Sequence, residues 1–492
     1  MKPALNKNNK SHTPSLDNFR IGALVAGPLA MLLILIMPSP EGMEPQAWTL
    51  VALTSWMVVW WLSEAVPIPA TALLPIPLMP LLGIGEMKMV ASNYGHPLIF
   101  LFLGGFLLAV AMQKWGLHRR IALRIISLVG TNQDSVIGGF MIATAFLSMW
   151  ISNTSTTIMM YAVALSVIDF VARQTPDENT VRRFGVSLML CIAYSATIGG
   201  VGTLIGTPTN ALLASFLSSS YGIEIDFFTW MTFGVPIVLI MLPIAWIMLT
   251  KVIFPSTQVS IGDVGTVIKQ ELGELGSMSK AEKAVAYVFL GAALGWMFRQ
   301  QVVALTGLSI NDTTVALCAA MVLFAWPIVG KKTQFVLEWE DTKELPWGVL
   351  LLFGGGLALA AAFDHTGLSV WIGEAVTGFD VNVWLMIFIV AITVVFSTEI
   401  TSNTASAATF LPVLGAVAIG MEMDPRMLAI PATVAASMAF MMPVATPPNA
   451  IVFTYEKMRL FDMVKAGFWL NIIAIAVTFA STYLLIERVF GI

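Results

Sequence analysis

Two identical triplets stand about 250 residues apart in this 492-residue chain: Ser152-Asn153-Thr154 and Ser402-Asn403-Thr404. Each carries two hydroxyls and one amide. Hydroxyl and amide oxygens, joined by main-chain carbonyls freed at a helix break, can ligate a hard cation. The N–H groups at a helix start carry partial positive charge and attract carboxylates. One such tip can therefore serve ions of both signs. A second pair of motifs follows the triplets in the same order, Thr207-Pro208-Thr209-Asn210-Ala211 and Thr446-Pro447-Pro448-Asn449-Ala450. Proline lacks an N–H and clashes with the preceding turn, so with Gly206 or Ala445 just before it the helix is expected to break and free carbonyls. The glycine-dense run from Gly199 to Gly206 lacks the spacing and the βαβ setting of a dinucleotide fingerprint.

The charged residues missing around these motifs narrow the chemistry. No Lys or Arg occurs at 125–172, 184–250, 381–425 or 427–456, and these stretches contain every motif. An anion bound there must be met by peptide dipoles, hydroxyl and amide donors, and co-bound cations, because an uncompensated charge at membrane depth costs several kcal/mol. Co-bound sodium becomes an energetic requirement. Glu64 and Glu399 lie in apolar surroundings, each a candidate cation ligand or relay, or else a structural cap or hairpin anchor. His12, His96, His118 and His365 are scattered, with no paired metal-ligand spacing. An intramembrane enzyme would need an Asp pair, a metal motif or an activated nucleophile, and the chain reads as no enzyme. No basic tract suggests nucleic acid.

The elements that must position these residues are membrane helices. Hydrophobic residues make up 57% of the chain, charged residues 11%, and the mean hydropathy is +0.84. Spans are expected near 20–37, 48–62, 66–84, 95–113, 184–215, 228–250, 284–303, 313–329, 346–363, 430–454 and 466–486. The stretches 135–172 and 383–420 are longer than one span and polar at their middles, so each reads as a re-entrant helical hairpin. Residues 1–19 form a polar tail. With that tail cytoplasmic, it and the loops at 114–124, 173–183, 251–283, 331–343 and 455–465, together with Arg20, hold 21 of the 25 Lys and Arg; Lys88, Arg299, Arg426 and Arg488 fall elsewhere. Cytoplasmic loops retain basic residues, so the skew supports this orientation; the expected location is the plasma (inner) membrane. The segments 38–47, 216–227 and 364–381 are expected outside. Cys191 and Cys318 fall in apolar stretches and imply no disulfide framework.

The chain also repeats itself. Residues 102–117 match 353–368, with Gly104, Gly105, Ala109, Ala111, Gly116 and Leu117 meeting Gly355, Gly356, Ala360, Ala362, Gly367 and Leu368. The triplets and the Thr-Pro motifs follow in the same order. By the orientation above, the opening span runs inward in one copy and outward in the other. Inverted repeats with interrupted helices mark secondary transporters, with the site at the repeat interface near the midplane.

The stretches at 60–84, 152–160, 202–211, 402–412 and 445–450 together resemble the divalent anion/sodium symporter family, and the likeness runs from about residue 20 onward. The resemblance implies an all-α polytopic membrane protein with eleven transmembrane helices plus two re-entrant hairpins in an inverted repeat. It also implies a homodimer with a central scaffold and an elevator-like transport domain. The divisions expected on that basis are a tail at 1–19, scaffold at 20–129 and 284–380, transport domain at 130–254 and 381–492, and a cytoplasmic connector at 255–283. One sodium site would use Ser148, Ser152, Asn153 and the Gly206 carbonyl. The other would use Thr398, Thr401 through its main-chain carbonyl, Asn403 and the Ala445 carbonyl. The dicarboxylate would lie between Asn153, Thr154 and Thr207 on one side and Ser402, Asn403, Thr404, Thr446 and Pro447 on the other. Thr209 departs from the family, which more often has a second proline there. The implied activity is sodium-coupled symport of a C4-dicarboxylate such as succinate, malate or fumarate. Sodium-independent exchange of dicarboxylate or citrate, and sulfate transport, are the rivals within the family.

Overall fold

The structure, a computed structural model, describes residues 18–130, 132–255, 264–328, 334–376 and 382–492. The expectations for the tail up to residue 17, for parts of the 255–283, 331–343 and 364–381 segments, and for the division at 380/381 lie outside the described residues. Among the described residues, apart from one antiparallel pair, Pro327–Ile328 with Gln334–Phe335, the regular elements are helical.

Each half runs through the same series. The opening helix is Pro97–Lys114 in the first and Trp347–His365 in the second. A short amphipathic helix follows, Leu117–Leu128 or Leu368–Val376. The turn into it is made by the matched glycines Gly116 and Gly367, at φ 73° and 75°. That left-handed conformation is open to glycine without steric cost. Next come two limbs joined by a tight tip: Gln133–Ser148 with Asn153–Gln174, and Val383–Thr398 with Asn403–Gly420. A helix broken in two follows, Glu178–Gly200 then Pro208–Tyr221, and Arg426–Ser437 then Pro447–Phe453. The closing helices Phe227–Ile247 and Leu460–Phe490 pack on each other.

The proline motifs act at helix starts rather than within helices. Pro208 and Pro447 are the first residues of the second pieces, where the missing N–H has no helical partner in any case. The residues before them adopt nearly the same extended backbone, Thr207 at φ −142°, ψ 144° and Thr446 at φ −141°, ψ 148°. The repeat therefore extends to backbone geometry. The spans expected at 184–215 and 430–454 are accordingly two pieces each.

Among the described residues, eight helices are long and apolar enough to cross a membrane, or nine if the bent pair Lys280–Met297 and Arg299–Thr306 counts as one. Three shorter apolar helices lie at Ile68–Leu81, Asp312–Ala325 and Val383–Thr398. The second limb of each hairpin belongs to the eight. The 114–124 stretch, expected as a loop, lies largely in the amphipathic helix Leu117–Leu128. It holds the connector: Arg120, 4% exposed, donates to Glu282 at 2.8 and 3.3 Å and to the carbonyls of Gly276 and Leu275 at 2.7 and 3.1 Å. Two basic residues outside the basic face also have carboxylate partners. Arg299 lies 3.2 Å from Asp312, and Arg426 lies 2.6 Å from Asp424.

Truncating Arg120 to Ala leaves the Glu282 carboxylate buried without its partner. Breaking such a pair costs about 3–5 kcal/mol, whereas replacing both members with apolar residues of similar size is nearly neutral. Arg120→Ala is expected to lower the thermal midpoint of the purified protein clearly, and Arg120→Met with Glu282→Met to recover most of it. A midpoint unchanged in Arg120→Ala would refute the clamp.

Candidate functional site

The hairpin tips turn at Met149–Ser152 and Glu399–Ser402, and the helix that follows each starts on the triplet's asparagine. Ser148, fully buried, donates to Asn153 Oδ1 at 2.5 Å. Thr398, also buried, donates to Asn403 Oδ1 at 2.7 Å and reaches the Ala436 carbonyl at 3.1 Å. A hydroxyl five residues before the asparagine thus closes each tip.

The first tip presses against the first helix break. With its oxygen seated there, the Asn153 amide faces the carbonyl oxygens of Gly206 at 3.3 Å and Ala196 at 3.2 Å. Oxygens facing one another repel. Two arrangements relieve this: the amide turns and donates its N–H groups to them, or a cation sits among the oxygens. An oxygen set from one hydroxyl, one amide and main-chain carbonyls is what a hard cation takes. Close approach here requires glycine, because a Cβ on Gly200 would come within 2.8 Å of Asn153 Oδ1 and one on Gly206 within 2.4 Å of the Gly200 carbonyl oxygen. The glycine-dense run is a packing device.

Inside each break, one asparagine gathers the freed carbonyls. Asn210 donates through Nδ2 to Thr203 O at 2.8 Å and to Gly200 O and Val201 O at 3.3 Å. Asn449 donates to Met442 O at 3.0 Å and Ala439 O at 3.4 Å. Both are fully buried. Their place in the echoed Thr-Pro motifs was visible in the sequence, yet that pairing carried no sign of which carbonyls they would hold.

The two tips are tied to their breaks by opposite chemistry. In the first half the Thr203 hydroxyl donates to the Met149 carbonyl. In the second, the Glu399 carboxylate, 3% exposed, accepts from the backbone N–H groups of Phe440 at 2.7 Å, Met441 at 2.9 Å and Met442 at 2.9 Å, and from Asn471 at 2.7 Å. Glu399 is a hairpin anchor whose lone pairs are taken up by N–H donors. Glu64, exposed and left-handed at φ 48°, ends the helix Pro45–Ser63.

The halves interlock. The hydroxyls of Thr209 and Ser437 lie 2.6 Å apart, which gives the family-atypical Thr209 a partner in the opposite repeat. Pro447–Phe453 packs against Glu178–Gly200 and Asn153–Gln174, while Pro208–Tyr221 packs against Arg426–Ser437 and Asn403–Gly420. Every residue from Phe184 to Gly200 is buried. The two breaks thus lie in one packed cluster. Of the expected site residues, Ser148, Thr207, Thr398, Ala445 and Thr446 are buried, and Asn153, Thr154, Thr401, Ser402, Asn403 and Thr404 are half-buried. Ser152 and Pro447 are exposed, and the Ser152 side chain caps its helix through the Ser155 N–H at 3.3 Å. The Thr401 hydroxyl turns to Ser397 O at 2.9 Å and Ser406 Oγ at 2.6 Å.

A family model described as the sodium:sulfate symporter transmembrane region matches residues 20–487. The chain belongs to that family. Its relatives are transporters, not enzymes. The sodium-dependent dicarboxylate transporter SdcS of Staphylococcus saprophyticus is 39% identical over 491 residues, covering 98% of this chain and 95% of that protein. The protein of the same name in Staphylococcus aureus strain USA300 is 41% identical over 477 residues, covering 95% and 92%. Among solved structures, the YdaH transporter of Alcanivorax borkumensis is similar in fold, with a TM-score of 0.50 at 12% identity over 96% of this chain and 97% of that one.

Replacing Glu399 with Gln puts an amide N–H₂ against N–H donors in a buried place. Leaving buried donors unmet costs about 1–3 kcal/mol each. Glu399→Gln is expected to lower thermal stability more than Thr203→Val, which removes one neutral hydrogen bond worth about 1 kcal/mol. Equal midpoints for the two variants would contradict the anchor.

Proposed function

We propose that this protein carries C4-dicarboxylates such as succinate, malate and fumarate across the plasma membrane by symport with sodium. The observation that carries the reading is the pair of oxygen-lined, symmetry-related helix breaks with no basic side chain in any of the motif-bearing stretches. The names and near-full-length identity of the staphylococcal relatives favour dicarboxylate over sulfate.

One sodium is held by Ser148, Ser152, Asn153 and the Gly206 carbonyl, the other by Thr398, Asn403 and the carbonyls of Thr401 and Ala445. Each lies beside the carboxylates it must offset. A sodium about 5 Å from a carboxylate attracts it by about 3 kcal/mol at an effective dielectric of about 20. Two such ions offset the several kcal/mol that an uncompensated charge costs at this depth. Sodium binding orders the tips, and the dianion then seats on Asn153, Thr154 and Thr207 and on Ser402, Asn403, Thr404, Thr446 and Pro447. Reciprocal tightening of the two ligands is the coupling. The unit at 130–254 and 381–492 carries the site as an elevator past the scaffold at 20–129 and 284–380, in a homodimer with cytoplasmic N-termini.

The test is uptake of labelled succinate by the purified protein in liposomes. An inward sodium gradient is expected to drive accumulation that an equal potassium gradient does not. Equal uptake under both would replace symport with sodium-independent exchange. Asn153→Ala and Asn403→Ala are each expected to lower uptake at least a hundredfold while membrane insertion persists; activity retained in both would move the site elsewhere.

A further inference from the structure

A pocket of about 390 Å³ opens where two helix starts meet a helix end, away from the transport site. Glu178–Gly200 brings Arg182 and Arg183, Leu460–Phe490 brings Lys465, and the end of the Phe227–Ile253 span closes the third side. Three cations line it against one carboxylate, Asp462. That carboxylate is already engaged, since it pairs with Arg182 and accepts from the Arg459 N–H at 3.1 Å. Among the described residues no carboxylate stands within ion-pair distance of Arg183 or Lys465. Asp177, which caps the same helix as Arg183, is held below the usual carboxylate range chiefly by the Thr180 hydroxyl and the Asn179 N–H, with Arg183 contributing least. The partial positive charge of the two helix starts adds to the side-chain charge.

The outer wall of the same pocket is apolar. Val252 and Phe461 line it and are 69% and 73% exposed. A soluble anion would gain nothing from that wall, whereas a molecule with an anionic head and an acyl chain uses both surfaces. Basic pockets between transmembrane helices on the cytoplasmic side suit anionic headgroups. By the orientation proposed above, this pocket faces the cytoplasm, within the basic loops at 173–183, 251–283 and 455–465.

We infer that this pocket is a binding site for the phosphate headgroup of an anionic phospholipid of the inner leaflet, held by Arg183 and Lys465 with Arg182 oriented by Asp462. The inference rests on the membrane orientation proposed above but not on sodium coupling. All three elements lie in the proposed moving unit, so a bound lipid would tie that unit to the leaflet surface.

The test uses the full chain purified in detergent and titrated with dioctanoyl phosphatidylglycerol, dioctanoyl phosphatidylcholine or inorganic phosphate, read by native mass spectrometry and thermal unfolding. Phosphatidylglycerol is expected to bind and raise the midpoint, and the other two to leave it unchanged. Arg183→Gln with Lys465→Gln is expected to weaken phosphatidylglycerol binding about 25-fold, from a factor of about five per cation. The charge-conserving pair Arg183→Lys with Lys465→Arg is expected to retain it. A phosphatidylcholine response equal to that of phosphatidylglycerol, a shift reproduced by phosphate alone, or undiminished binding in the glutamine variant would overturn the site. Loss of sodium-driven uptake with the lipid response intact would instead count against the transport reading.

Discussion

A helix interrupted inside a low-dielectric interior leaves peptide N–H and carbonyl groups without partners, and each must be met by protein, ion or water. Two such interruptions lie in one packed cluster of this molecule, and much of the surrounding architecture follows from meeting their demands. Asn210 and Asn449 take up carbonyls in the turns, Glu399 takes up three N–H groups, and Pro208 and Pro447 sit where no N–H is needed. Around Asn153, the Gly206 and Ala196 carbonyl oxygens face the amide oxygen. The proposed site would draw on the polar groups that these structural bonds leave unmet.

The repeat is symmetric in geometry and asymmetric in chemistry. Thr207 and Thr446 share their backbone angles, and both tips close with a hydroxyl on the asparagine. Yet the first tip is fastened by a neutral hydroxyl and the second by a carboxylate. The Glu399 carboxylate gathers N–H donors from Phe440, Met441, Met442 and Asn471, a set with no counterpart among the hydrogen bonds of the first tip. The two tips, alike in their closing hydrogen bonds, therefore differ in their surroundings. Thr209 adds a further asymmetry, because its hydroxyl bonds across the repeat interface to Ser437, where a second proline could not.

Close packing makes the motif-bearing elements a single unit. Gly200 and Gly206 let the first break fold onto Asn153 at distances no other side chain permits. The second broken helix lies against the first hairpin and the first broken helix. A displacement of one tip would therefore disturb both breaks. The close fit of protein interiors transmits such strain instead of absorbing it.

Much of this was legible in the residues. Apolar runs and two echoed motifs in one order pointed to a helical membrane transporter with an internal repeat and to helix interruptions beside the two triplets. These signals are local: hydropathy, proline chemistry and repetition act along the chain and need no partner to be recognised. The helical state of 117–128, the reach of Asn210 and Asn449 to particular carbonyls, and the choice of Glu399 as anchor rather than ligand could not be read that way. A polar side chain in an apolar run can ligate, relay or fasten. Only the groups that folding brings within about 3.5 Å decide which, because a hydrogen bond weakens steeply beyond that distance.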